Sequence, residues 1–167
     1  MSTSGTPAAN ATRPPLVKIF RAANKVIRPL LASRFHKPLS GRLMLLTYKG
    51  HRTGREFTVP IGYFDWDPGT VLATSSQPGW IPSMREGSAV RLRIRGKDHG
   101  AVPTVVEDPE EVAALLDEFG RRKGPKAAKG LMLGLPGDRQ PTDDELRTAA
   151  AKTRFVHFRM EPERPGR

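Results

Sequence analysis

Cysteine is absent from this chain of 167 residues. Without it the protein has no disulfide framework, no thiol nucleophile and no cysteine-ligated zinc or iron–sulfur centre. The four histidines lie far apart and show neither H-x-x-x-H nor H-E-x-x-H spacing; they are His36, His51, His99 and His157. We therefore expect no metal site.

Long apolar runs are also missing. No stretch approaches the roughly 18 apolar residues of a membrane-spanning helix, and no apolar segment of about 7–15 residues follows a basic start as in a secretory signal. We therefore expect a cytoplasmic protein. The chain also lacks a Walker loop, a G-x-G-x-x-G fingerprint and a G-x-S-x-G elbow, so nothing indicates a P-loop, a dinucleotide fold or a serine hydrolase.

Acidic residues are few, with 17 Asp and Glu against 28 Lys and Arg, and the formal net charge is +11 at pH 7. Such a surplus favours nucleic acid, acidic lipid or an anionic small ligand as a partner. Arginines scattered along a chain are equally typical of a solvated surface. Aromatic residues make up only 7% of the chain and no strand interleaves them with arginine, so we expect no nucleic-acid binding.

The first 15 residues contain no bulky apolar group except the initiator Met, which predicts a disordered tail. Apolar residues at steps of three and four over 16–31 predict a basic amphipathic helix that Pro29 ends or kinks. We favour packing of this helix against its own domain over peripheral contact with the inner face of a membrane. The expected organisation is a tail at 1–15, one domain at 16–162 and a tail at 163–167.

The middle of the chain is rich in strand-forming residues. Alternating or apolar segments predict strands at about 42–49, 55–65, 70–76, 89–96 and 100–107, and a last strand at 153–160. Turns are expected at 65–69 and 96–100, with a loop and a short helical turn at 78–87.

Two helix starts are signalled by capping residues. Asp108 precedes Pro109 and two glutamates, and Thr142 stands three residues before Glu145. The first helix should run through Phe119 and the second to about residue 151. Residues 131–133 between them are either a flap over a pocket or a helix edge. The element order predicts an α+β fold with an antiparallel, barrel-like sheet.

A basic turn, Gly50-His51-Arg52-Thr53-Gly54-Arg55, separates the apolar run at 43–46 from an alternating segment that begins near Phe57. Glycines permit positive φ and a close backbone approach, while arginine offers a fork of donors suited to phosphate. An ordinary strand–turn–strand with solvated arginines would share this pattern. An anionic ligand held on a β-hairpin is nevertheless the leading hypothesis.

These residues support a family resemblance. Residues 40–55, with Thr58 and residues 60–63, resemble the signature of the deazaflavin-dependent nitroreductase family, roughly L-L-T-T-x-G-R-K-S-G-x-x-R-x-x-P-L. Trp80 and residues 84–93 are similar to that family's W-x-x-N-L-R segment, and the resemblance covers about 24–160. It implies a split β-barrel, as in FMN-binding oxidases, with peripheral helices. The implied cofactor is coenzyme F-420, an 8-hydroxy-5-deazaflavin, with FMN as the alternative.

The match also implies a cofactor site. The basic turn, with the backbone at Gly50 and His51, would hold the phosphate, residues 74–77 would border the ring, and Trp80 would flank the pocket. The implied binding residues are Gly50, His51, Arg52, Thr53, Gly54, Arg55, Pro60, Thr74, Ser75, Ser76, Gln77 and Trp80.

The chain departs from the family pattern at three places. Phe57 stands where arginine is frequent, His51 replaces the first basic residue, and Ser83-Met84 replaces Asn-Leu. Losing an arginine removes a charge-assisted bond, which implies weaker binding or a different cofactor.

The resemblance implies hydride transfer from C5 of the reduced deazaflavin to an electron-poor small molecule of quinone, enone or nitroaromatic type. Tyr48, Tyr63 and Ser75 are candidate proton donors by residue type, although core packing explains both tyrosines equally well. The alternative is a non-catalytic split-barrel module that binds a flavin, tetrapyrrole or lipid-like ligand. Monomer and homodimer both remain open.

Overall fold

The computed structural model describes Pro29 and residues 41–162. The tails at 1–15 and 163–167 and the helix predicted at 16–31 fall outside this description, apart from Pro29. Between residues 41 and 162 the chain forms seven strands, one 3-10 helix and three α-helices. The strands are β1 (Leu43–Lys49), β2 (Glu56–Gly62), β3 (Phe64–Asp67), β4 (Thr70–Ser75), β5 (Val90–Ile94), β6 (Lys97–Val106) and β7 (Arg154–Met160). The helices are the 3-10 helix (Ile81–Met84), α1 (Pro109–Lys123), α2 (Pro125–Gly130) and α3 (Asp143–Ala150).

The strands form one sheet in the order β2-β1-β5-β6-β7-β4-β3, and all neighbouring strands are antiparallel. The two edge strands, β2 and β3, are consecutive in the chain and separated only by Tyr63. Because both edges meet at one residue, the sheet must curl into a half-barrel. The Tyr63 N–H donates to the Arg42 carbonyl oxygen at 3.1 Å and ties this junction to the start of β1. The expected α+β class with an antiparallel sheet is confirmed.

Strand positions agree with the predictions, but three boundaries differ. The segment expected as one strand at 55–65 is two strands, because the chain leaves one sheet edge and joins the other at Tyr63. The turn expected at 96–100 consists of Arg95 and Gly96, both with positive φ as in a type I′ hairpin turn, so β6 begins at Lys97. The turn expected at 65–69 shrinks to Pro68 and Gly69, since residues 65–67 belong to β3.

The inner face of the half-barrel holds one core. Along β5, Val90, Leu92 and Ile94 are buried while the residues between them face outwards, which is the period of two expected for a strand. β1, β4 and β7 have consecutive buried residues, in β4 and β7 because the helices cover part of the outer side. The 3-10 helix adds Ile81 and Met84 to the interior. This inner cluster consists of Met44, Leu46, Tyr63, Val71, Ala73, Trp80, Ile81, Met84, Val90, Leu92, Ile94, Ala101, Val156 and Phe158.

The helices form a second core on the outer face of β4 and β7. Phe119 of α1 packs its ring edge against Phe64 at a centroid distance of 4.8 Å and stacks with Trp66 at 6.2 Å. The outer cluster consists of Leu72, Val112, Ala113, Leu115, Leu116, Phe119, Ala128, Leu133, Leu135, Leu146, Ala149, Ala150 and Phe155.

Both predicted helix starts are confirmed. The Asp108 carboxylate accepts hydrogen bonds from the N–H groups of Glu110 and Glu111, each at 3.1 Å. Thr142 and Glu145 form a reciprocal capping box. Leu131 caps α2 and Leu133 is buried in the outer cluster, which agrees with the helix-edge interpretation of 131–133. No helix in the described part of the chain is long and apolar enough to cross a membrane.

Candidate functional site

Strand direction places two predicted site segments at the same end of the half-barrel. Three strands separate β1 from β4, and every neighbouring pair is antiparallel, so β1 and β4 run in the same direction. Their last residues, Lys49 and Ser75, therefore lie at one end, which we call the turn end. The basic turn (Gly50–Arg55) follows β1, and residues 75–77 follow β4.

The basic turn is closed by its own backbone. The Gly50 N–H donates to the Arg55 carbonyl oxygen, and the Gly54 N–H donates to the Gly50 carbonyl oxygen, both at 2.8 Å. The Arg55 N–H donates to the Thr53 hydroxyl at 3.3 Å. Gly54 has a φ of 65°, a value that favours glycine. A Cβ at Gly50 would lie 2.8 Å from Cε2 of Phe57, so a side chain there would force the Phe57 ring to move.

A second contact anchors the turn to the 3-10 helix. The His51 N–H donates to Ser83 Oγ at 3.2 Å, and His51 Nδ1 lies 3.4 Å from the same oxygen. Two of the departures from the family pattern, His51 and Ser83, therefore contact each other. The turn is thus fixed both internally and to the segment that follows β4.

The hydrogen-bond donors of the turn that could bind an anion are not all the ones that the family resemblance implies. The N–H groups of Gly50 and His51 are occupied by Arg55 and Ser83. Within residues 41–162, the guanidinium groups of Arg52 and Arg55 have no ion pair, and the N–H groups of Arg52 and Thr53 have no hydrogen-bond partner. The turn therefore offers two exposed guanidiniums and two backbone donors to a ligand.

A cleft of about 540 Å³ opens beside the turn, between β1, the start of β5 and the segment after the 3-10 helix. We call it the turn cleft. Side chains of both charge signs line it: Lys49 and Arg91 are basic, and Glu56 and Glu86 are acidic. Arg91 Nη2 lies 3.8 Å from Glu56 Oε1. Its lining residues are Thr47, Tyr48, Lys49, Gly50, His51, Gly54, Glu56, Ser83, Glu86, Ser88, Ala89, Val90 and Arg91.

An aromatic pair stands at the turn end of β1 and β2. Tyr48 and Phe57 are opposite each other in the sheet register, and their rings stack at 5.7 Å with an interplanar angle of 28°. The Tyr48 hydroxyl, like any phenol, is protonated at neutral pH, and partial burial raises its pKa further above the usual value of 10. Phe57 remains 41% exposed, which is unusual for a large apolar side chain in this molecule.

Within the basic turn, Gly50, His51 and Gly54 line the turn cleft, whereas Arg52, Thr53 and Arg55 stand beside it without lining it.

Several other predicted residues lie away from the turn cleft. Trp80 is buried in the inner cluster, where its ring packs against Phe158 at 6.0 Å, and does not line the cleft. Residues 74–77 share the turn end but do not line the cleft either. The Thr74 hydroxyl bonds to the Thr153 hydroxyl, and the Ser75 hydroxyl donates to the Gln77 carbonyl oxygen at 2.8 Å.

Pro60 and Tyr63 are farther away. Pro60 lies within β2 opposite Leu45, and Tyr63 is beside the start of β1. A strand of seven residues spans about 20 Å, so Tyr63 is at the opposite end from the turn. Of the three candidate proton donors, only Tyr48 lines the turn cleft.

Sequence reasoning did not assign Lys49, Glu56, Glu86 or Arg91 to the site. Arg91 lines the cleft because β5 pairs with β1 and places Arg91 opposite Thr47. Its position in an alternating strand indicated an outward-facing side chain, but the neighbour of that strand is a long-range feature. Among the described residues, no group of three or more His, Asp or Glu side chains could hold a metal ion.

Known protein families and characterised proteins yield no match to this chain. Solved structures of similar shape include a FAD-binding protein from Mesorhizobium loti, with 16% identity, a TM-score of 0.43 and coverage of 83% of this chain and 89% of that one. An F-420 reductase is similar at 13% identity and a TM-score of 0.41, covering 72% and 87%. HupZ from Group A Streptococcus has 13% identity and a TM-score of 0.44, covering 75% and 85%. Likeness at this level assigns neither a family nor a function.

Proposed function

We propose that this chain is a split β-barrel oxidoreductase that binds coenzyme F-420 at the turn end and reduces an electron-poor small molecule. The observation that carries the proposal is the basic turn: Arg52 and Arg55 have no ion pair within residues 41–162, and they stand on a fixed backbone whose Gly50, His51 and Gly54 line a cleft of about 540 Å³. The family resemblance of residues 40–63 supports the same assignment.

The turn would hold the phosphodiester of the coenzyme. Its hydrogen bonds to itself and to Ser83 fix the backbone before a ligand arrives, so little ordering entropy is lost on binding. Each charge-assisted bond from Arg52 or Arg55 contributes about 1.5–3 kcal/mol. The backbone N–H groups of Arg52 and Thr53 supply two further donors.

Tyr48 and Phe57 would orient the flat part of the ligand. Offset stacking on an aromatic face contributes about 0.5–1.5 kcal/mol beyond the area buried. When bound, the reduced coenzyme supplies the hydride. The protein's part is to bind, to exclude water and to deliver a proton from the Tyr48 hydroxyl, which is protonated at neutral pH.

Titration with oxidised F-420, and separately with FMN, tests this assignment through quenching of cofactor fluorescence. We expect F-420 to bind and the Arg52→Ala/Arg55→Ala variant to bind at least about 100-fold more weakly, since two charge-assisted bonds are lost. The control is Arg121→Ala/Arg159→Ala, which removes the same charge from exposed sites on α1 and β7. This control should bind like the wild type.

The outcomes separate the competing functions. Binding of neither cofactor by the wild type contradicts the proposal. Equal losses in the two double variants would mean that net charge, and not the turn, determines affinity. Tight binding without turnover of quinone, enone or nitroaromatic acceptors would favour a non-catalytic cofactor-binding module.

A further inference from the structure

A second cleft lies at the other end of the half-barrel. It encloses about 660 Å³ beside the β2–β3 junction, the end of α1 and the short helix α2. We call it the Tyr63 cleft. It is lined by Gly41, Arg42, Gly62, Tyr63, Phe64, Asp65, Lys123, Lys126, Ala127 and Gly130. About 20 Å of β1 separates it from the basic turn, so one small ligand does not reach both.

The lining carries a surplus of positive charge. Arg42, Lys123 and Lys126 have no ion pair in the part of the chain from 41 to 162. The one acidic residue in the lining, Asp65, is already bound to Arg95 at 2.6 Å. Within residues 41–162, three cations therefore line the cleft without an acidic partner.

Only one of these three cations has a structural role at the end of a helix. Lys123 stands in the last turn of α1, where a positive side chain compensates the negative end of the helix. Arg42 precedes β1 and Lys126 lies near the start of α2, so neither has this role. Lys123 also has no ion pair within residues 41–162, so all three charges are available to an anion.

The floor of the cleft is apolar and fixed by the two cores. Tyr63 is only 3% exposed and the Arg95 guanidinium lies over its ring at 5.9 Å, so this ring supports the cleft without offering a face to a ligand. The apolar surface comes from Phe64 and Ala127, which are half-buried, and Phe64 packs against Phe119 of the outer cluster. Ala127 and the glycines in the lining have little or no side chain and leave room above Phe64. An apolar group of a ligand would therefore meet a preformed aromatic surface.

We propose that the Tyr63 cleft binds an organic phosphate monoester whose organic part is flat and apolar. A phosphate monoester carries about −1.5 to −2 charges at pH 7, which three cations can neutralise. The arginine fork suits phosphate geometry, and the two lysines add mobile point charges. The flat group packs on Phe64 and Ala127. This site is independent of the coenzyme proposed for the turn end.

Phenyl phosphate is the probe, and isothermal titration calorimetry is the measurement. The experiment uses the full chain carrying Arg52→Ala/Arg55→Ala, so that the basic turn does not contribute. We expect phenyl phosphate to bind this protein, and inorganic phosphate and phenol each to bind more weakly. Adding Lys123→Ala/Lys126→Ala should weaken phenyl phosphate at least about tenfold.

A matched control adds Arg121→Ala/Lys152→Ala, which removes two exposed cations outside the cleft, and should leave the affinity unchanged. Amide chemical shifts of Gly62, Phe64 and Ala127 should move on titration, which locates the ligand. No binding, an equal loss in the control, or inorganic phosphate binding as tightly as phenyl phosphate would each overturn the proposal.

Discussion

At the scale of single residues, Tyr48 is the side chain whose chemistry matters most for the proposed reaction. It lines the turn cleft and keeps its hydroxyl proton, whereas Tyr63 is about 20 Å away along β1. We expect Tyr48→Phe to lower kcat on the order of 10- to 100-fold, because a positioned proton donor is lost. Coenzyme affinity should not change, since the ring remains.

Tyr63→Phe is the matched control for this experiment. It removes a hydroxyl of the same kind at the opposite end of the sheet and should leave kcat unaltered. Steady-state kinetics with F-420 and a quinone acceptor measures both variants. Similar kcat values for wild type and Tyr48→Phe would exclude Tyr48 as the donor.

Phe57 and Phe158 illustrate how burial determines the cost of losing a ring. Phe158 is fully buried in the inner cluster, while Phe57 is 41% exposed at the turn end. We expect Phe158→Ala to lower the free energy of unfolding by about 3–5 kcal/mol. Phe57→Ala should cost only about 1 kcal/mol, mainly from lost stacking on Tyr48. Urea denaturation compares the two, and equal losses would show that Phe57 is packed in solution.

His157 gives the fold a predictable response to mild acid. Burial lowers its pKa below the ordinary value of 6.5, although Asp67 and Glu118 partly oppose this shift. The unfolded chain therefore binds a proton more readily, and stability should fall as the pH drops below about 6.5. We expect the loss between pH 7 and pH 5 to be smaller in His157→Gln, measured by thermal unfolding. A loss in the variant as large as in the wild type contradicts this account.

At the scale of secondary-structure elements, the start of α3 depends on one carboxylate. Glu145 accepts two hydrogen bonds from Arg139, at 2.9 and 2.8 Å, and one from the Thr142 N–H at 2.8 Å. Arg139 above all, and then Thr142, lower the pKa of Glu145 from 4.5 to about 2. The stabilisation is therefore complete above pH 4.5 and is lost as the pH falls through about 2.

The variant Glu145→Gln isolates this contribution. Its stability should be below that of the wild type at neutral pH, and the difference should shrink between pH 4.5 and 2. Arg139→Ala should reproduce most of the effect, because Arg139 is the largest cause of the lowered pKa. Circular dichroism during thermal unfolding provides the measurement. A difference that stays constant with pH would mean that the wild-type carboxylate is not paired in solution.

Elements were predictable where their signals are local. The caps at Asp108 and Thr142 and the alternation of β5 can be read from a few neighbouring residues, and the structure agrees. The break at Tyr63 was not predictable, because the β3–β4 hairpin joins the other edge of the sheet only through β7, which comes much later in the chain. Arg95 at a φ of 49° also gave no signal, since this conformation is rare for a non-glycine residue.

The candidate site likewise has one part that could be predicted from the sequence and one part that could not. The basic turn was visible because its glycines and arginines are contiguous. Its anchor at Ser83 is 32 residues away, and the placement of Arg91 depends on the register between β1 and β5. Long-range pairing of this kind leaves no mark in a single sequence.

At the scale of the whole molecule, the net charge of +11 should act on association rates. The Debye length falls from about 30 Å at 0.01 M salt to about 3 Å at 1 M. We therefore expect the association rate constant for F-420 to decrease steeply over this range, while the dissociation rate constant changes less. Stopped-flow fluorescence measures both constants. An association rate that is independent of salt would show that the surplus charge is not oriented toward the site.

The position of β7 in the sheet has a consequence for biosynthesis. This strand is made last of the seven, yet it lies between β6 and β4 and is the only described strand that connects the β3–β4 hairpin to the rest of the sheet. While the chain is still emerging from the ribosome, the β4 edge of that hairpin has no strand to pair with, and both clusters lack the side chains that β7 supplies, namely Val156 and Phe158 inside and Phe155 outside. The nascent protein is therefore most exposed to aggregation and proteolysis just before its final strand is released.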